Sequence, residues 1–99
     1  MQREHRVRIT WSPEYERRGL PDGDRGIDPA WIATAVPVRD EGWTLAYRFE
    51  RPPQEQGNPS EGFARFVMET APEHWLRPGA ELQLFERGTG KYARVEVLD

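Results

Sequence analysis

The last quarter of the chain constrains its fold most. Leu76-Arg77-Pro78-Gly79 leads into an alternating run that ends at Phe85. A glycine-rich stretch follows, and alternation resumes from Tyr92 to Leu98. A period of two places Leu82 and Leu84 on one face, and Ala93, Val95 and Val97 on another, as paired β-strands require. Arg77-Pro78-Gly79 fits a type II turn, with proline at the second position and glycine at the third. Glu86-Arg87-Gly88-Thr89-Gly90-Lys91 supplies the turn of a terminal hairpin.

The same period recurs upstream. Val7, Ile9 and Trp11 alternate with Arg6, Arg8 and Thr10, and Pro13 ends that strand because proline cannot donate to a ladder. Ser12-Pro13-Glu14-Tyr15-Glu16 reads as one helical turn, with Ser12 as N-cap and Pro13 at the first helical position. Residues 12–30 are otherwise non-periodic and punctuated by Gly19, Pro21, Gly23, Gly26 and Pro29. They predict a long loop of the kind that carries function. A second strand is expected over Trp31–Val36, then a turn at Arg39-Asp40-Glu41-Gly42. Trp43, Leu45, Tyr47 and Phe49 form the cleanest alternation in the chain. A one-residue slip there would put all four in water. Arg51–Glu61 is expected to be a loop. Gly62–Thr70 is expected to be a fourth strand anchored by Phe63, Phe66 and Met68, with a bulge near Arg65. Ala71–Leu76 suggests one helical turn. Six short strands without a long helical period imply an all-β sandwich or barrel.

Size and composition set bounds. The 99 residues predict a single domain over 1–99. A domain of this size buries about 60–65% of its unfolded surface, enough for one modest core. Only 36% of residues are hydrophobic, but four Trp, three Tyr and four Phe offset the shortfall, because each buried aromatic removes about 150–250 Å² from water. The net charge of −3 argues against a general nucleic-acid binder, which needs a basic stripe. The absence of cysteine excludes disulfides, thiolate metal sites and cysteine nucleophiles. Met1-Gln2-Arg3-Glu4-His5-Arg6 has no apolar signal region, and no run reaches bilayer-spanning length. A cytoplasmic protein that starts at its own Met1 is the expectation.

The order of features resembles the C-terminal β-barrel, the third domain, of elongation factor Tu. Leu76-Arg77-Pro78-Gly79, then Leu82 and Leu84, then Glu86-Arg87-Gly88 follow that family's order of hydrophobic-x-Pro-Gly turn, alternating strand and charged-Gly turn. The likeness covers roughly the last 25 residues; upstream only the strand spacing agrees. Ala93 and Arg94 stand where the family carries glycines in its closing strand. Glu16-Arg17-Arg18-Gly19 stands where it has an acidic residue before paired glycines. The resemblance implies a single antiparallel six-stranded β-barrel with a long first loop and short helical turns, used as a free-standing binding surface. It carries over no site residues.

Several motifs suggest chemistry and stop short of it. Asp22-Gly23-Asp24-Arg25-Gly26-Ile27-Asp28 spaces carboxylates as a calcium loop does. However, Arg25 adds a positive charge, Ile27 replaces the turn glycine, and Ala33 stands where the closing glutamate belongs. Its Asp residues suit a polar turn. Gly88-Thr89-Gly90-Lys91 lacks the leading glycine and trailing hydroxyl of a phosphate loop: Phe85 and Tyr92 stand there. His5 and His74 are the only histidines, and Ser12 and Ser60 the only serines. Both histidines read as surface residues, and their separation offers no support for zinc. Glu69, Glu73, Glu81 and Glu96 could supply an acid/base pair only if a cleft gathered them. Proline inside Asn58-Pro59-Ser60 bars glycosylation.

Arg6, Arg8, Arg48, Arg65 and Arg94 are expected on outward strand positions. With Tyr15, Tyr92 or Trp75 they could hold single-stranded nucleic acid; a solvated face paired with Glu50, Glu69 and Glu96 is favoured. Trp11, Trp31 and Trp43 read as core, and Trp75 as either a barrel plug or a binding hot spot. The resulting expectation is a non-catalytic binding module with a protein partner and no cofactor, metal or membrane attachment. Its surface would combine the 12–30 loop with Ala71–Pro78, through Tyr15, Arg17, Arg18, His74, Trp75 and Arg77. An immunity-type toxin inhibitor, suited by its acidic balance to a basic nuclease, and an RNA-binding accessory are the alternatives. Oligomeric state stays open.

Overall fold

Alternation in a closed ring needs strands that pair on both sides, and each strand here does. The computed structural model describes residues 2–32, 42–85 and 92–99. Its elements are β1 (His5–Trp11), α1 (Pro13–Arg18), β2 (Arg25–Ile32), β3 (Trp43–Arg48), α2 (Pro53–Gln56), β4 (Ser60–Phe66), a 3₁₀ turn at Glu73–Trp75, β5 (Glu81–Phe85) and β6 (Tyr92–Val97). The barrel order is β1-β4-β3-β2-β5-β6, all antiparallel. β1 bonds to both β4 and β6, so the ring closes and leaves no edge strand among the described residues. The expected six-stranded barrel is therefore the fold. No helix among the described residues is long and apolar enough to cross a membrane.

The inner face is layered. At the end of the barrel where β1 finishes, Trp11 packs with Tyr15 (ring centroids 5.0 Å apart), Phe49 (6.2 Å) and Tyr47 (6.4 Å). Val7, Ile9, Leu45, Leu82, Leu84, Val95 and Val97 fill the middle. At the other end Trp75 meets Phe66 edge-on at 6.2 Å beside Leu76 and Ala71. The plug reading of Trp75 thus describes its packing. Ala80 N donates to Arg77 O at 2.9 Å, and Gly79 has φ +85°, as the third position of a type II turn demands.

Several inward polar groups are bonded across elements, whereas Gln2 Oε1, His5 Nε2 and Ser12 Oγ are buried without a hydrogen-bond partner among the described residues. Trp11 Nε1 donates to Ser60 Oγ at 3.0 Å, and that hydroxyl donates to Gly57 O at 2.6 Å. Beyond the last β1–β4 pair, Asn58 takes the place of a strand: its Oδ1 accepts from Trp11 N (2.8 Å) and its Nδ2 donates to Trp11 O (3.0 Å). Gln2 Nε2 donates to the carbonyls of Met68, Glu69 and Ala71 and so ties the 68–71 turn to the chain's start.

Several expectations change. β2 begins at Arg25, inside the segment read as loop. Its inward positions pair with Tyr47, Leu45 and Trp43 and are Gly26, Asp28 and Ala30. They are small or acidic, so no hydrophobic rhythm marks the strand. Trp31 falls in the opposite phase and points outward, not into the core, while Trp43 faces inward but only half-buried. β4 ends at Phe66; Ser60, Gly62, Ala64 and Phe66 face inward. Phe63 lies outside beneath Arg48 at 4.4 Å, and Met68 is past the strand and exposed. Pairing runs without a bulge through Arg65, from Phe66 to Phe63 against β3 and from Ala64 to Ser60 against β1. The Arg51–Glu61 loop contains α2. Ser12 occupies the N-cap position of α1, but its side chain makes no capping bond. His5 is buried at 6% exposure rather than on the surface: Nδ1 lies 3.1 Å from Asp99 O and Nε2 lies 4.0 Å from Glu73 Oε1. The extension of the second strand to Val36, most of the Arg39–Gly42 turn, and the Glu86–Lys91 turn with Gly88-Thr89-Gly90-Lys91 lie outside the described residues.

Candidate binding face

The residues singled out from the sequence do not meet. α1 follows the end of β1 at Trp11, whereas the 3₁₀ turn follows the end of β4 at Phe66. Because Ala64 pairs with His5 at the start of β1, the two segments sit at opposite ends of the barrel. Tyr15, Arg17 and Arg18 therefore cannot form one surface with His74, Trp75 and Arg77. Tyr15 is moreover core, 8% exposed against Trp11. Arg17 and Arg18 both spend their charge on Glu14, at 2.5 and 2.8 Å. His74 and Arg77 are exposed on the far end.

The motif residues separate as well. Asp22 and Asp24 are exposed in the bend before β2, while Asp28 lies in the strand and accepts from Tyr47 Oη at 2.5 Å. No three His, Asp or Glu side chains converge on a metal position among the described residues. Ser60 is committed to Trp11 and Gly57. Glu81 faces Glu96 across β5 and β6, on the convex outside of the barrel.

The outward arginines divide in two. Arg6 pairs with Glu61 at 3.4 Å, and Arg8 bridges Glu61 (3.9 Å) and Glu96 (3.3 Å). These form the solvated, cross-strand paired face. Glu61, which was not anticipated as a partner, does most of that pairing. Arg48 holds Glu4 with two bonds, Nε to Oε2 at 2.7 Å and Nη2 to Oε1 at 2.9 Å. These bonds hold the Glu4 carboxyl below its ordinary pKa, against a smaller opposing push from burial, and Arg65 adds attraction. Arg48 is correspondingly raised, first by the same bonds.

The feature that stands out is apolar and lies outside. Ile27 is 66% exposed on β2, Phe85 45% on β5 and Tyr92 53% on β6. Trp31 meets Phe85 edge-on at 6.5 Å and 81°. Its indole covers Gly42, where an added Cβ would lie 2.6 Å from the ring. Phe85 and Tyr92 are direct cross-strand partners. Arg25, Ile27, Pro29 and Trp31 alternate along the outer face of β2, so the aromatic cluster runs on through Pro29 and Ile27 to Ala46 on β3. Strands about 4.8 Å apart make this a band about 15 Å across. Exposed patches of this kind mark contact surfaces.

Trp31, expected in the core, and Phe85, which no expected surface includes, both stand on this face. The signal was present: Phe85 is out of phase with Leu82 and Leu84, and Tyr92 with Ala93, Val95 and Val97. No family model, curated protein or solved structure matches the chain.

Proposed function

We propose that the protein is a non-catalytic binding module of the cytoplasm that holds a protein partner against the outer face of β2, β5 and β6. The observation that carries this reading is the Trp31–Phe85 edge-to-face pair standing outside the barrel with Tyr92 beside it. Trp and Tyr are enriched among the few residues that dominate the energy of protein contacts, and leaving them in water has no benefit for folding. Three polar side chains of the kind catalysts use are engaged in structural bonds, which supports this reading: Ser60 with Trp11, Asp28 with Tyr47, Asn58 with the backbone of Trp11. The resemblance of Leu76–Gly79 and the following hairpin to the third domain of elongation factor Tu agrees with a barrel used as a binding surface.

The test is capture from lysate of the source organism with the tagged chain and with its Phe85→Ser/Tyr92→Ser variant, each washed at low and high salt. Both substitutions lie on exposed positions, where changes in stability are expected within about 0.5 kcal/mol, and circular dichroism checks the fold. A protein retained by the parent at both salts and lost by the variant is the expected result. Equal capture by parent and variant overturns the reading. Recovery of a basic nuclease would specify the immunity-type role. Nucleic acid recovered only at low salt would replace the protein partner with RNA.

A further inference from the structure

At one end of the same apolar band, three guanidinium-bearing positions crowd together. Arg25 on β2 lies directly opposite Arg48 on β3. Ala46 is the cross-strand partner of both Ile27 and Arg65. Like charges placed directly opposite each other destabilise a strand pair, and a local choice that works against the fold points to function. The side chains enclose a notch of about 260 Å³ lined by Glu4, Arg25, Ile27, Ala46, Arg48 and Arg65. Its floor is apolar and its rim is cationic. The carboxylates around it are Glu4 on Arg48, Asp24 at 3.3 Å from Arg25, and Glu50 beyond Arg48. Arg65 donates to its neighbour's carbonyl at Phe66 at 3.4 Å and attracts the Glu4 carboxylate.

Glu4 shows what the notch accepts. It lies just before β1, its side chain is 38% exposed, and it engages Arg48 in the two-bond fork that a carboxylate makes with a guanidinium. Resting on the binding-module reading above, we infer that the notch receives an Asp or Glu side chain of the protein partner, with Glu4 as its intramolecular competitor. An apolar neighbour of that residue would lie on Ile27. A phosphate backbone fits less well, because the floor is apolar and the chain carries net charge −3.

The test titrates the ¹⁵N-labelled full chain with a blocked hexapeptide of alternating Glu and Leu, its Gln counterpart, and hexauridylate. Amide and arginine Nε–H shifts are expected at Arg25, Ile27, Ala46, Arg48 and Arg65 with the Glu peptide alone. Arg25→Gln and Arg65→Gln are expected to weaken binding about fivefold each, and Glu4→Gln to tighten it about threefold, as for exposed charge pairs. Equal binding of the Gln peptide, shifts centred elsewhere, weaker binding by Glu4→Gln, or stronger binding of hexauridylate would each overturn the inference. The two readings fail separately. Loss of capture by Phe85→Ser/Tyr92→Ser with no peptide response sinks only the carboxylate notch. Unchanged capture with a peptide response that follows the arginine and Glu4 variants sinks only the aromatic contact.

Discussion

At the scale of single residues, size alternates as strictly as polarity. Gly62 faces inward on β4, where an added Cβ would lie 2.3 Å from Arg48 O and 2.7 Å from Phe49 Cδ1. The obstacle is backbone, which cannot swing aside. Gly62→Ala is therefore expected to cost about 2–3 kcal/mol, the upper range for overpacking, read as a lower urea midpoint. Glu4 gives a signed pH effect. Its folded-state pKa is depressed, first by hydrogen bonding from Arg48, so its contribution is present above the ordinary carboxylate range and is lost as pH falls through the folded-state value. The stability difference between the parent and Glu4→Gln should stay constant near neutral pH and shrink on acidification; a difference that grows there would contradict the assignment. Exposure of both partners keeps the effect small. Little of this was legible beforehand. Gly62 was correctly placed in a strand, but nothing in the sequence announces that Phe49 will cross over it. The sequence places His5 in a fraying start and so at the surface, yet Asp99 and Glu73 reach it from distant parts of the chain.

At the scale of elements, strands are replaced by side chains where pairing runs out. The two bonds from Asn58 to the backbone of Trp11 extend β1 past its last partner on β4. The same Nδ2 also meets the Glu16 carboxylate in α1. Asn58→Ala leaves a partly buried N–H and C=O without partners, at about 1–3 kcal/mol. Hydrogen exchange at the Trp11 amide should accelerate in the variant, while the amides at the centre of β1 keep their protection. The elements visible in the sequence were those whose inward face is large. β3, β5 and β6 show uninterrupted alternation and lie where expected. β2 was hidden because Gly26, Asp28 and Ala30 are small or acidic so that Tyr47 and Leu45 can fill the space in front of them. β4 was shifted for the same reason: Ser60, Gly62 and Ala64 make room, and Phe63, the bulky residue taken as an anchor, points out.

At the scale of the molecule, local rhythm identified a six-stranded all-β domain, but the placement of surfaces depended on long-range pairing. The 12–30 segment and Ala71–Pro78 looked like one face because both are irregular. The register of β1 with β4 sends them to opposite ends. The band of Ile27, Trp31, Phe85 and Tyr92 is assembled from β2, β5 and β6, which become neighbours only through the barrel order. That order has a temporal side. β1 closes the ring by pairing with β6, whose last residue is Val97. During synthesis, one flank of β1 must wait until β6 has emerged, and β2 waits likewise for β5. Unpaired strand flanks of this kind are adhesive. The nascent chain is therefore at its most vulnerable in the interval before β6 is released, and a pause in translation there would leave the barrel open beside its own exposed aromatic residues.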